Sequence, residues 1–156
     1  MKITGAIIIL IISAVVGYLL SESLKTRLNN LSEVISFIDY IGTNIKMFRT
    51  PLNDIYKNYH SEYFIKKGVD FSQGNTLYTE AINAGILSGK EEKEILKNFC
   101  DKIGNGTVDE MEKLCLYTNH EFSNIKEKLQ KDFPEKQKVY KAISFLAGIS
   151  VVIIII

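Results

Sequence analysis

Proline and cysteine are both scarce in this chain, with two of each among 156 residues. Pro51 and Pro134 are the only prolines, so no Pro/Ser-rich linker divides the middle of the sequence, and a single domain is expected there. Cys100 and Cys115 stand isolated, with no His or second Cys at ligand spacing, which excludes a disulfide framework and a metal site. They are read as free, partly buried thiols on neighbouring helices. A surplus of either charge sign is missing as well: 19 Lys and Arg stand against 18 Asp and Glu. A nucleic-acid module needs a basic excess or stripe, so no nucleic-acid partner is expected. Strand signals are also lacking, since no sustained apolar–polar alternation and no hairpin turn occurs.

What the chain does have is two uncharged, strongly apolar ends. Residues 3–20 contain the run Ile7-Ile8-Ile9-Leu10-Ile11-Ile12, and residues 142–156 finish in Ile153-Ile154-Ile155-Ile156. At about 1.5 Å per residue these segments reach roughly 27 and 22 Å as helices, against a hydrocarbon core about 30 Å thick. Both are read as transmembrane helices, the second needing Val139 and Tyr140 to lengthen it and Lys141 to snorkel. A cleaved signal peptide is the competing reading of the first segment, but no small-x-small site follows it promptly. Residues 21–141 then form the domain between the anchors. Lys25 and Arg27 follow the first anchor, and Lys131, Lys136, Lys138 and Lys141 precede the second, whereas only Lys2 lies beyond. The positive-inside rule therefore places the domain in the cytoplasm, with Lys25, Arg27, Lys138 and Lys141 facing lipid headgroups.

Within the domain, Leu24, Leu28, Leu31, Ile35, Ile38, Ile41, Ile45 and Phe48 recur mostly at helical steps of three and four. That helix is expected to end before Thr50-Pro51, with Thr50 capping a second helix whose first turn holds Pro51. Leu52, Ile55, Tyr56 and Tyr59 suggest a short helix, and Leu77, Ala81, Ile82 and Ala84 another stopped by Gly85. Ser88-Gly89-Lys90-Glu91 and Thr107-Val108-Asp109-Glu110 both carry the capping-box pattern. The first opens a helix with Ile95, Phe99 and Ile103. The second opens a long helix with Val108, Met111, Cys115, Thr118, Phe122, Ile125, Leu129 and Phe133 on one stripe. Pro134 should kink or break it, because proline removes a hydrogen bond and clashes with the preceding turn. The fold class expected is all-α, an antiparallel helical bundle flanked by N- and C-terminal transmembrane helices.

Catalytic residues are not in evidence. Gly104-Asn105-Gly106 lacks the Lys-Ser/Thr of a phosphate loop and reads as a turn between helices. His60 and His120 are solitary. Glu91, Glu92 and Glu94 suit the positive end of a helix dipole better than a carboxylate pair. Tyr56, Tyr59, Tyr63 and Phe64 form an aromatic run that suits core packing better than docking. No catalytic residue, cofactor or metal is expected. In the anchors, Ser13 and Gly17 are four apart, as are Ser144 and Gly148, the small-xxx-small pattern that lets helices approach closely. Their matched depth predicts that the two anchors pack on each other through these faces.

Three landmarks together resemble the stage III sporulation protein AB family. They are Asn44-Ile45-Lys46-Met47-Phe48-Arg49-Thr50-Pro51-Leu52, Ile103-Gly104-Asn105-Gly106-Thr107-Val108-Asp109, and the stretch from Lys138-Val139-Tyr140-Lys141 into Ala142-Ile143-Ser144-Phe145-Leu146-Ala147-Gly148. The resemblance spans essentially the whole chain. It departs in a shorter middle, about 59–76, in Met111-Glu112 where a glutamine is usual, and in Pro134. It implies a membrane protein of the mother cell, part of the channel complex that links mother cell and forespore. It also implies a domain of about six helices similar to type II secretion inner-membrane platform proteins, and partners that include the cytosolic ATPase, stage III sporulation protein AA. The function expected is that of a non-enzymatic scaffold. Arg49, Thr50 and Pro51 should meet Asn105 and Thr107 at a tip where a partner docks, since exposed loops on a rigid frame favour binding. The alternatives are an extracytoplasmic-facing anchored interaction protein and a membrane-bound small-molecule sensor.

Overall fold

The computed structural model describes residues 2–69, 71 and 77–155; the side chains of 2–10, 13, 20, 141, 151, 152, 154 and 155 are outside that description. Six helices and no strand occur among the described residues: α1 (Lys2–Phe48), α2 (Leu52–Asn58), α3 (Glu62–Lys66), α4 (Leu77–Asn83), α5 (Lys90–Lys102) and α6 (Val108–Ile155). The helices group into two compact units, residues 1–28 with 128–156, and residues 29–127.

In residues 29–127 the core is built from the inner faces of α1 and α6 and the four short helices. Leu31, Ile38, Ile41 and Ile45 of α1 are buried as the helical spacing predicts, and Val34 and Phe37 join them. Phe48 does not: it ends α1 with its ring exposed. On α6, Cys115, Thr118, Phe122 and Ile125 form the buried stripe. Phe37 is the centre of an aromatic cluster, stacked on Phe71 at 5.0 Å and edge-on to Phe64 at 5.9 Å, with Tyr59 at 4.3 Å. The run from Tyr56 to Phe64 is therefore core packing. Asn30 ties α1 to the rest, its amide donating to the Ile86 carbonyl at 2.7 Å and its side-chain oxygen accepting from the Tyr63 hydroxyl. α4 packs against α5.

Helix starts follow local chemistry, with adjustments. Pro51 itself is the residue before α2, and its carbonyl accepts from Asp54 and Ile55, so Thr50 is not the cap. α3 was not anticipated; Ser61 caps it by accepting from the Phe64 N–H. α5 is preceded by Gly89 rather than Ser88, and Glu92 accepts from the Gly89 N–H at 2.8 Å. Only that half of a capping box exists, since glycine has no side chain to return the bond. At α6 the full box forms: Glu110 accepts from the Thr107 N–H at 2.7 Å, and Thr107 Oγ1 accepts from the Glu110 N–H at 3.3 Å.

The break expected at Pro134 does not occur, and α6 stays helical through it. Proline costs one intrahelical hydrogen bond and some steric adjustment, and at this exposed position the carbonyl left over can turn to solvent.

In residues 1–28 with 128–156, the two terminal stretches of α1 and α6 pair. A Cβ on Gly17 would lie 3.0 Å from Ser144 Cβ, and the Gln137 amide donates to Ser21 Oγ at 2.8 Å. As numbering rises from 17 to 21 on α1 it falls from 144 to 137 on α6, so the pair is antiparallel. Gly17, Ser21, Ser144 and Gly148 are buried, while Ile11, Ile12, Val15, Val16, Leu19, Ile143, Phe145 and Leu146 are exposed. Among the described residues no helix is long and apolar enough to cross a membrane. The transmembrane helices expected at 3–20 and 142–156 are thus not supported by the described residues, and the side chains of 3–10, 13, 20, 151, 152 and 154–156 lie outside that description.

Candidate interaction site

Two turns come together in the 29–127 unit. α1 ends with the Arg49 N–H bonded to the Ile45 carbonyl and the Thr50 N–H to the Asn44 carbonyl, a closure that needs a left-handed residue after the helix. Arg49 takes that conformation, φ 49°, and is the one non-glycine residue with positive φ among those described. Such a conformation costs about 1 kcal/mol or more for a side chain other than Gly or Asn. Gly104 closes α5 at φ 92°. A Cβ on it would sit 3.5 Å from Leu52 Cδ2, so the turn after α5 lies against the turn that opens α2. Arg49, Pro51, Asn105 and Thr107 are exposed and Thr50 is half-buried.

Beside these turns α1 and α6 are joined by Lys46 and Glu112, 2.6 Å apart. The partnership raises the Lys46 pKa, chiefly through the hydrogen bond to Glu112. Glu110 is held below the ordinary carboxylate value by the Thr107 N–H and hydroxyl it accepts from.

The remaining expected positions are distributed as follows. Lys25 and Lys138 are exposed and Arg27 is half-buried, all in the paired terminal stretches. Gly17 and Ser144 touch, and Gly148 is buried on the same face; the Ser13 and Lys141 side chains are outside the described residues. The exposed apolar side chains Met47, Phe48, Leu116 and Tyr117 were not anticipated as surface.

Burial pushes the Cys100 thiol up to about 11 and the Cys115 thiol up to about 12, away from the thiolate that nucleophilic chemistry needs. His60 is exposed with Nδ1 2.9 Å from the Asn58 carbonyl, and His120 is exposed beside Asn124. No cluster of three metal-ligating side chains occurs among the described residues.

Two long helices, with four short ones packed on residues 29–48 of α1 and 108–127 of α6, define an all-helical protein among the described residues. Over residues 2–156 the chain matches stage III sporulation protein AB, and it belongs to that family. Membership makes it a sporulation protein. No curated protein and no solved structure matches it.

Proposed function

We propose that this sporulation protein is a non-enzymatic membrane scaffold of the channel between mother cell and forespore. Its terminal helices are a paired transmembrane hairpin in the mother-cell membrane, and residues 29–127 are a cytoplasmic adaptor for the ATPase stage III sporulation protein AA and other membrane subunits. One observation carries the membrane reading: the terminal pair is packed inside out. Its contact face is Gly17, Ser21, Ser144 and Gly148, while Phe145 and Leu146, each 60% exposed, point away. In water that arrangement would leave apolar surface bare. In lipid it is the expected one, because small residues allow close contact and large apolar ones meet acyl chains. Lys25, Arg27 and Lys138 would then lie among headgroups.

For the partner, family membership supports the reading and the paired turns supply a surface. The test is affinity capture of the ATPase from sporulating cells carrying Arg49→Glu with Asn105→Asp. The variant is expected in the membrane fraction at normal level with ATPase recovery strongly reduced. Normal recovery would show that the turns are not the docking surface, and recovery of the chain in the soluble fraction would overturn the anchor assignment.

A further inference from the structure

α1 and α6 approach closely in the 29–127 unit at Gly42, where a Cβ would stand 3.1 Å from Cys115 Cβ. Along this crossing runs an open groove of about 270 Å³. Its walls are Met47, 70% exposed, and Leu116, 59% exposed. A cavity of this size is below the range that encloses a small ligand, and suits a few side chains of a docked segment.

The polar groups of the groove are one-sided. Lys46, its one cation, is already held by Glu112 at 2.6 Å. Asp39 lines the groove and takes part in no ion pair among the described residues. The Asn119 side-chain oxygen is buried there with no hydrogen-bond partner. Acceptors are thus in excess and no cation is unpaired. The surrounding unit has the same sign: residues 29–127 hold 11 Lys and Arg against 15 Asp and Glu, a net of −4.

We propose that this groove is a docking site for a basic peptide segment of a partner protein, one in which a Lys or Arg is flanked by aliphatic side chains. The aliphatic residues fill the space between Met47 and Leu116. The cation, on its apolar stem, reaches Asp39 and takes up acceptor capacity at Asn119. An acidic segment would find the only cation taken and meet Asp39 and Glu112. The site lies on the α1–α6 face rather than on the turns, and it does not rest on the ATPase assignment.

The test uses the full chain in neutral detergent and two fluorescent amphipathic peptides, one of leucine and arginine and one with glutamate at each arginine position. The arginine peptide is expected to bind saturably and the glutamate peptide not to bind. Asp39→Arg and Leu116→Asp, both at exposed positions, should each weaken the arginine peptide by about tenfold or more. Asp39→Asn serves as the milder variant, and Lys97→Glu on α5 should change nothing. The proposal is overturned by equal binding of both peptides, by no binding of either, or by wild-type affinity in the groove variants. It is also overturned if the free chain self-associates and the same variants abolish that association, for then a second copy is the occupant.

Discussion

Cys115 sits where α6 meets Gly42 of α1, and its environment makes two properties inseparable. It fills the space opposite Gly42, and its thiol is pushed up to about 12 from 9.0 by burial, with Asp39 and Glu112 adding to the shift. That rise lowers the thiolate fraction relative to the unfolded chain. Alkylation of the folded protein in detergent should therefore spare Cys115 and accelerate sharply when denaturant is added; rapid labelling in the native state would contradict the packing. Phe37 is the other residue on which much converges. Its ring meets four aromatic neighbours, and Phe37→Ala should cost about 3–5 kcal/mol in unfolding free energy, read by denaturant titration. Phe37 also shows where a helical stripe misleads. Steps of three and four found Leu31, Ile38, Ile41 and Ile45, but short helices cover α1 from a second side. The buried face is therefore wider than one stripe and takes in Val34 and Phe37. Phe48 was assigned to the stripe because its spacing fits, yet the buried face of α1 ends at Ile45.

Among the elements, the start of α6 was legible and that of α3 was not. Thr107 and Glu110 specify the beginning of α6 through two reciprocal bonds. α3 has five residues, too few for any period to show, and only Ser61 announces it. Glu110 supplies a pH-dependent contribution with a definite sign. Its native pKa is lowered from 4.5, so the stability it adds is present above that value and is lost as pH falls through the lower native one. Glu110→Gln should unfold at lower denaturant than the parent at pH 7, and the two midpoints should converge as pH falls through the lowered native value. A gap that persists in acid would mean that the carboxylate charge is not the cause. At Pro134 a kink or break was expected, and the break does not occur. Its penalty is real, but one lost hydrogen bond does not interrupt a helix of 48 residues. Removing it should relieve the penalty: Pro134→Ala is expected to stabilise α6 by up to about 3 kcal/mol, seen as a higher melting temperature.

At the scale of the whole molecule, the near-neutral charge conceals a division. Residues 1–28 with 128–156 carry eight Lys and Arg against three Asp and Glu, a net of +5, whereas residues 29–127 carry −4. A composition total cannot show this, because the two terminal stretches are far apart in sequence and become one unit only when α1 and α6 pair. The small-residue spacing did point to that pairing, and the Gly17–Ser144 contact is its clearest expression. The exposed groove between Met47 and Leu116 was beyond reach, since it depends on which helix faces the short helices leave uncovered. The pairing has a direct test in Cys100→Ser, Cys115→Ser background. Gly17→Cys with Ser144→Cys brings two Cβ atoms to about the separation a disulfide needs after a shift of some tenths of an ångström. Mild oxidation in membranes should close a bond within one chain, with faster migration on a denaturing gel and no dimer band. Val16→Cys with Phe145→Cys, both outward-facing, should stay open. If the outward pair closes and the inward pair does not, the terminal helices are turned the other way. The inside-out packing on which the proposed membrane anchor rests would then be lost, while the 29–127 unit and its groove would be untouched.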